Sequence, residues 1–207
     1  NWIYPRDGAT GCMALCVLFR ETKEEEYLYR ARLFGDWFLR NAMSKEGWPA
    51  HSYRFDKREA EHRPPAIWQA GAGLAFYYLY RLTGEKRYID EGLRPIMEGY
   101  KRLSAAAASE PPKEVSSNDD FAAIAAMGAC QVYHDRPLAD IVCRHAQAIA
   151  RTQDADGSCP GLDAACVAGL TWHNIPAFLR SQKRRESPAF CGRAIEKVAR
   201  FVPGLQE

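Results

Sequence analysis

The chain has no long apolar run, no dominant charge and no strand-like alternation, and each absence removes a class of function. No charge-free stretch reaches the ~20 apolar residues that span a bilayer, and none is expected to enter a membrane. Lys and Arg number 28 against 26 Asp and Glu, a net charge of +2. That balance does not fit a protein that holds nucleic acid by neutralising phosphates. The longest basic run, Lys183-Arg184-Arg185, reads as a solvated loop. Neither Cys-x-x-Cys nor His-Glu-x-x-His occurs, and Cys130 with His134 or Cys143 with His145 does not complete a ligand set. No Gly-x-Gly-x-x-Gly loop follows a strand, so neither a metal nor a nucleotide cofactor is expected. Asn1 to Pro5 lacks the charged start and apolar middle of a signal peptide. There is no initiator Met, so the sequence reads as a mature form or as a piece of a longer protein. Seven cysteines make an odd count. Cys12, Cys16, Cys130, Cys143, Cys166 and Cys191 fall in predicted helices and Cys159 in a loop, without the spacing of a secreted framework. Reduced thiols and a cytoplasmic setting are expected.

What is present is a rhythm. Gly8–Phe19, Pro64–Tyr80, Phe121–Tyr133 and Ala164–Leu179 contain no Asp, Glu, Lys or Arg and are rich in Gly and Ala. Each is followed by an amphipathic, charged stretch. The pattern predicts helical hairpins in which one helix is buried all round and the other faces water. Helices are predicted over Gly8–Glu21, Glu24–Ala42, Ala66–Leu82, Lys86–Leu103, Asp119–Tyr133, Pro137–Thr152, Ala164–Leu179 and Pro188–Val202. Thr83-Gly84-Glu85 supplies a left-handed cap, and Pro95 and Pro176 should bend or break their helices. The pairs recur at a period typical of stacked or ring-arranged hairpins. Ser44–Pro65 and Ala105–Asn118 are the long loops, and no strand is expected. A hydrophobic fraction of 47% supports one domain over residues 1–207.

Paired helices with Gly/Ala-rich inner members resemble the α/α toroid superfamily. Within it, Tyr80-Arg81-Leu82-Thr83-Gly84-Glu85-Lys86-Arg87-Tyr88 is similar to the hairpin turn of six-hairpin glycosidases. Arg151-Thr152-Gln153-Asp154-Ala155-Asp156-Gly157-Ser158 is similar to the Gln-plus-Asp-Gly-Ser turns of that group and of terpenoid cyclases. The resemblance implies an all-α fold of hairpins arranged as a partial α/α toroid, because a closed ring needs twelve helices and eight are predicted. No catalytic motif of the family maps onto this chain.

In a ring of hairpins the loops leading into the inner helices open on one face. Tyr4-Pro5-Arg6-Asp7, Trp68-Gln69, Asn118-Asp119-Asp120 and Asp163 stand at those positions. Asp119 and Asp120 are the candidate acid–base carboxylates and Asp7 a second carboxylate, as glycosyl transfer to water needs a proton donor and a partner. Helix N-capping is the competing account of Asp119 and Asp163. Trp48, His51, Trp68, Gln69 and His173 are candidates to line the pocket, the indoles by stacking on sugar faces and the imidazole as an acid–base group. Core packing is the competing account of Trp68. The expected function is a glycoside hydrolase or a related lyase or epimerase, acting on a small molecule or oligosaccharide. The alternatives are a non-catalytic helical-repeat scaffold and a terpenoid-cyclase-like toroid. The latter is weakened because Asp119-Asp120 is followed by Phe121-Ala122-Ala123 rather than completing Asp-Asp-x-x-Asp.

Overall fold

A computed structural model describes residues 1–107 and 117–152 together with Phe178, with side chains through Ala106 and from Phe121 to His145. The predicted helices over Ala164–Leu179 and Pro188–Val202, the break at Pro176 and the candidates Asp163 and His173 lie outside the described residues. The chain divides into two compact units, Asn1–Ser109 and Glu110–Glu207.

The first unit is two helical hairpins with a small sheet. Strand β1 (Trp2–Ile3) leads into α1 (Pro5–Thr22), which starts with Pro at its first position, where no amide hydrogen is missed. A tight turn then opens α2 (Glu25–Asn41). The long loop that follows holds β2 (Ser52–Arg54) and β3 (Glu59–Glu61), which form an antiparallel hairpin; β1 adds to its free edge, Trp2 opposite Arg54. This sheet corrects the expectation of no strands. Its members are two and three residues long, too short for a period of two to register. The pairing also ties down the first residues, since the Phe55 amide donates to the Asn1 carbonyl at 3.0 Å.

The third predicted helix begins as a 3₁₀ turn over Ile67–Ala72 and continues as α3 (Gly73–Thr83). The fourth is also split, a π-helical turn over Tyr88–Leu93 preceding α4 (Arg94–Ala107). Pro95 accounts for the split. It has no amide hydrogen, and its ring crowds the carbonyl four residues back, so the preceding turn widens rather than breaks. In the second unit α5 (Ser117–Tyr133) pairs with α6 (Arg136–Thr152). Asp135 caps α6, its carboxylate accepting the Leu138 amide at 2.9 Å.

The core of the first unit lies where α1 meets both α2 and α3, and α3 meets the π turn. Ala9, Cys12 and Cys16 of α1, Phe38 of α2, Phe76 and Leu79 of α3, and Tyr88 are all buried. Phe38 packs on Phe76 at 5.1 Å between ring centres, and Phe76 stacks on Tyr88 at 6.4 Å. The charge-free part of α3, residues 73–80, and the described part of α5 are buried nearly all round, as their lack of charge predicts. Helix α1 is not. Asp7, Gly11, Ala14 and Leu18 form an exposed stripe, so that lack of charge alone did not bury it.

Candidate functional site

Three segments distant in sequence converge where α1 and the 3₁₀ turn begin. The ring of Tyr4, just before α1, meets the His51 imidazole edge-on at 5.4 Å. His51, just before β2, meets the Trp68 indole edge-on at 5.6 Å. Trp2 closes the other end of the row, 4.5 Å from Tyr4. The Arg6 guanidinium lies over the Trp68 ring at 5.6 Å, a cation–π contact, and its Nε donates to the Asp7 carboxylate at 2.9 Å. The Asp7 side chain is 51% exposed, and Trp68 and His51 are partly buried.

The local causes are legible. Pro5 starts α1 and leaves Tyr4 extended, which turns its ring out of the helix. β1 holds that approach against β2, and the His51 amide donates to the Glu61 carbonyl at 2.8 Å, fixing His51 beside the hairpin. Asp7 sits in the first turn of α1, where the partial positive charge of the helix start favours a carboxylate.

Trp48 and Gln69, also candidates, are joined to one another. The Trp48 indole N–H donates to the Gln69 side-chain oxygen at 3.1 Å, which also accepts the Ala66 amide at 2.8 Å. The Gln69 amide donates to the Pro49 carbonyl at 2.9 Å. Gln69 is 1% exposed and Trp48 7%. Gln69 therefore commits its oxygen and an amide hydrogen inside the protein, and stitches the long loop to the start of the 3₁₀ turn. Trp48 still contributes a wall to a cavity of about 390 Å³ between that loop and the C-terminal part of α4.

Of the candidate residues, Asp7, His51 and Trp68 are brought together, and Trp48 and Gln69 form a buried pair beside them. Asp119 and Asp120 are in the first turns of α5; their side chains, and His173, lie outside the described residues. Tyr4 and Arg6 complete the row of rings and charges. Their position at the approach to α1 was visible in the sequence, but their contacts with His51 and Trp68 depend on β1, which was not.

Glu61 sits below its usual carboxylate range because it accepts the Ser52 hydroxyl and the Arg63 Nε, each at 2.7 Å. Among the described residues no group of three His, Cys, Asp or Glu is placed to hold a metal ion, and no helix is long and apolar enough to cross a membrane. Cys12, Cys16, Cys130 and Cys143 are buried and not disulfide-bonded.

These features define a mostly helical protein of paired helices with an aromatic and charged surface at the start of its charge-poor helices. No family model matches the chain, and no curated protein does. Among solved structures it is similar to the crystal structure of the Lin0763 protein from Listeria innocua, with a TM-score of 0.62 and 16% identity. The match covers 90% of this chain and 58% of that one, and at this identity it speaks for the fold alone.

Proposed function

We propose that the chain is a carbohydrate-active domain of the α/α toroid kind, a glycoside hydrolase or a related lyase or epimerase. One observation carries this reading. A half-exposed carboxylate, an imidazole and an indole, from three separate parts of the chain, are gathered with Tyr4 and Arg6 on one surface. Aromatic rings pack on the apolar faces of sugars, and carboxylate and imidazole groups transfer protons at glycosidic or adjacent carbons. The likeness of fold to the Listeria protein is compatible with many activities and adds no substrate. In this reading Trp68 is the stacking platform, His51 an acid–base group and Asp7 one carboxylate. Asp119 and Asp120 are assigned as acid–base carboxylates on sequence grounds. The cysteine usage, without the spacing of a secreted framework, supports a cytoplasmic setting.

The test is turnover on a panel of oligosaccharides and aryl glycosides. Replacing Asp7 by Asn should lower kcat by roughly a hundredfold or more, with only the small drop in unfolding midpoint that losing a helix-start carboxylate gives. The same substitution at Asp119 or Asp120 tests the sequence assignment. Turnover that survives all three replacements removes carboxylate catalysis from the account.

A second reading, a scaffold that binds a protein or peptide, has its own observation. Tyr29 and Leu33 on α2 are 57% and 50% exposed and, with Leu28 and Arg32, border a depression of about 420 Å³. Serine at both positions leaves turnover intact under the first reading.

A further inference from the structure

We propose that the cavity between the long loop and α4 binds a small oxyanion-bearing ligand, a carboxylate or phosphate on a body no larger than one sugar ring. Its volume of about 390 Å³ fits such a body. Two guanidiniums and an imidazole line it, from Arg63, Arg102 and His62, against one carboxylate, from Glu46. Those charges are not equally engaged. Arg63 is paired through Nε with Glu61 at 2.7 Å. Glu46 is already satisfied by its own amide and the Ser44 hydroxyl, with Lys45 and His62 close by, and it sits below its usual range. Arg102 is exposed and has no ion pair among the described residues, which leaves a forked donor at the rim for an incoming oxyanion.

The cavity is preformed rather than a chance gap. Its Trp48 wall is anchored by the indole bond to Gln69. The ring lies against the backbone of α4 at Gly99, where an added Cβ would overlap its six-membered ring. One turn earlier the loop touches α4 again, at Gly47. There φ is +76° and a Cβ would overlap Pro95. Two glycines thus let the loop and helix approach closely on one side, Trp48 against Gly99 and Gly47 against Pro95, and the exposed residues His62, Arg63 and Arg102 are among those lining the cavity. A ligand meets a fixed wall and loses little binding energy to loop ordering.

This inference does not depend on the catalytic reading, because it is measured by binding. Isothermal titration at fixed ionic strength would use three probes, gluconate, inorganic phosphate and neutral glucose. The two anions should bind and glucose should not. Arg102→Gln should weaken both anions by roughly tenfold or more. Lys101→Gln removes the same charge one residue away and should leave affinity unchanged, and Asp7→Asn should bind gluconate as wild type does. Phosphate binding as tightly as gluconate would identify a bare oxyanion as the recognised group, and tighter gluconate an acidic sugar-like body. The proposal is overturned if neither anion binds, if glucose matches gluconate, or if Arg102→Gln and Lys101→Gln behave alike.

Discussion

At the scale of single residues, Gln69 does the most to hold the site's surroundings in place. Its side chain serves Trp48, Ala66 and Pro49 at once, linking the long loop to the 3₁₀ turn. Leucine at position 69 keeps much of the volume but strands two buried donors and a carbonyl, which should cost about 2–3 kcal/mol in chemical denaturation. Glu61 gives a pH dependence with a defined sign. Its folded pKa lies below that of the unfolded chain, owing to Ser52 and then Arg63. The carboxylate therefore contributes stability above the unfolded value, and that contribution is lost as pH falls through the folded one. Glu61→Gln should be less stable than wild type near neutrality and indistinguishable from it once the pH is below the carboxylate range. A difference that persisted in acid would assign the effect to packing. Tyr88 is pushed upward by burial and by the Asp36 carboxylate, to which its hydroxyl donates at 2.8 Å, and so remains a neutral donor.

At the scale of elements, a repeated turn recurs that sequence reading found only once. Thr83-Gly84-Glu85 was recognised from its glycine. Thr22-Lys23-Glu24 has the same geometry. In each, the Thr hydroxyl donates to a carbonyl four residues back at 2.8 Å and accepts the Glu amide at 3.2 Å. The middle residue is left-handed in both, with φ of 64° at Lys23 and 71° at Gly84. The α5–α6 turn repeats the left-handed step at His134, with φ of 52°. A lysine in that conformation hides the motif, because the usual signal is the missing side chain. Lys23→Gly should relieve the strain and stabilise the fold by about 0.5–1 kcal/mol, the gain being reduced by the greater freedom of glycine in the unfolded chain. Thermal unfolding decides it, and a lower midpoint would show that the Lys23 ammonium, which donates to the Arg20 carbonyl at 2.6 Å, outweighs the strain.

The helices among the described residues were legible because a charge-free, Gly/Ala-rich stretch followed by an amphipathic one marks a helical hairpin, although absence of charge did not bury α1 all round. Their irregular starts were less so. Pro95 announced a disturbance in the fourth helix, but whether a helix breaks or widens depends on what it packs against, here Gly47 and the long loop. The sheet was invisible because β1 contributes two residues, and its pairing with β2 is a contact across 50 positions that no local pattern records. The site was legible to the same degree. Asp7 and Trp68 could be nominated from their places at helix starts and His51 from the long loop before the third helix, but their assembly with Tyr4 and Arg6 needs that sheet.

At the scale of the whole molecule, the described helices of each unit pair as hairpins, and the chain is similar in fold to a protein of which the match covers 58%. The central claim is that the surface around Trp68 meets a sugar. The chain has five tryptophans, so a ¹⁵N-labelled sample should show five indole N–H signals, with that of Trp68 assigned by its loss in Trp68→Phe. The most direct measurement is to follow those signals while titrating neutral and acidic oligosaccharides. The account predicts that at least one of them shifts the Trp68 signal in a saturable way, and that Tyr4→Ala or His51→Ala weakens the effect. A Trp68 signal that no oligosaccharide moves, in a protein whose other indole signals show it folded, would contradict the account.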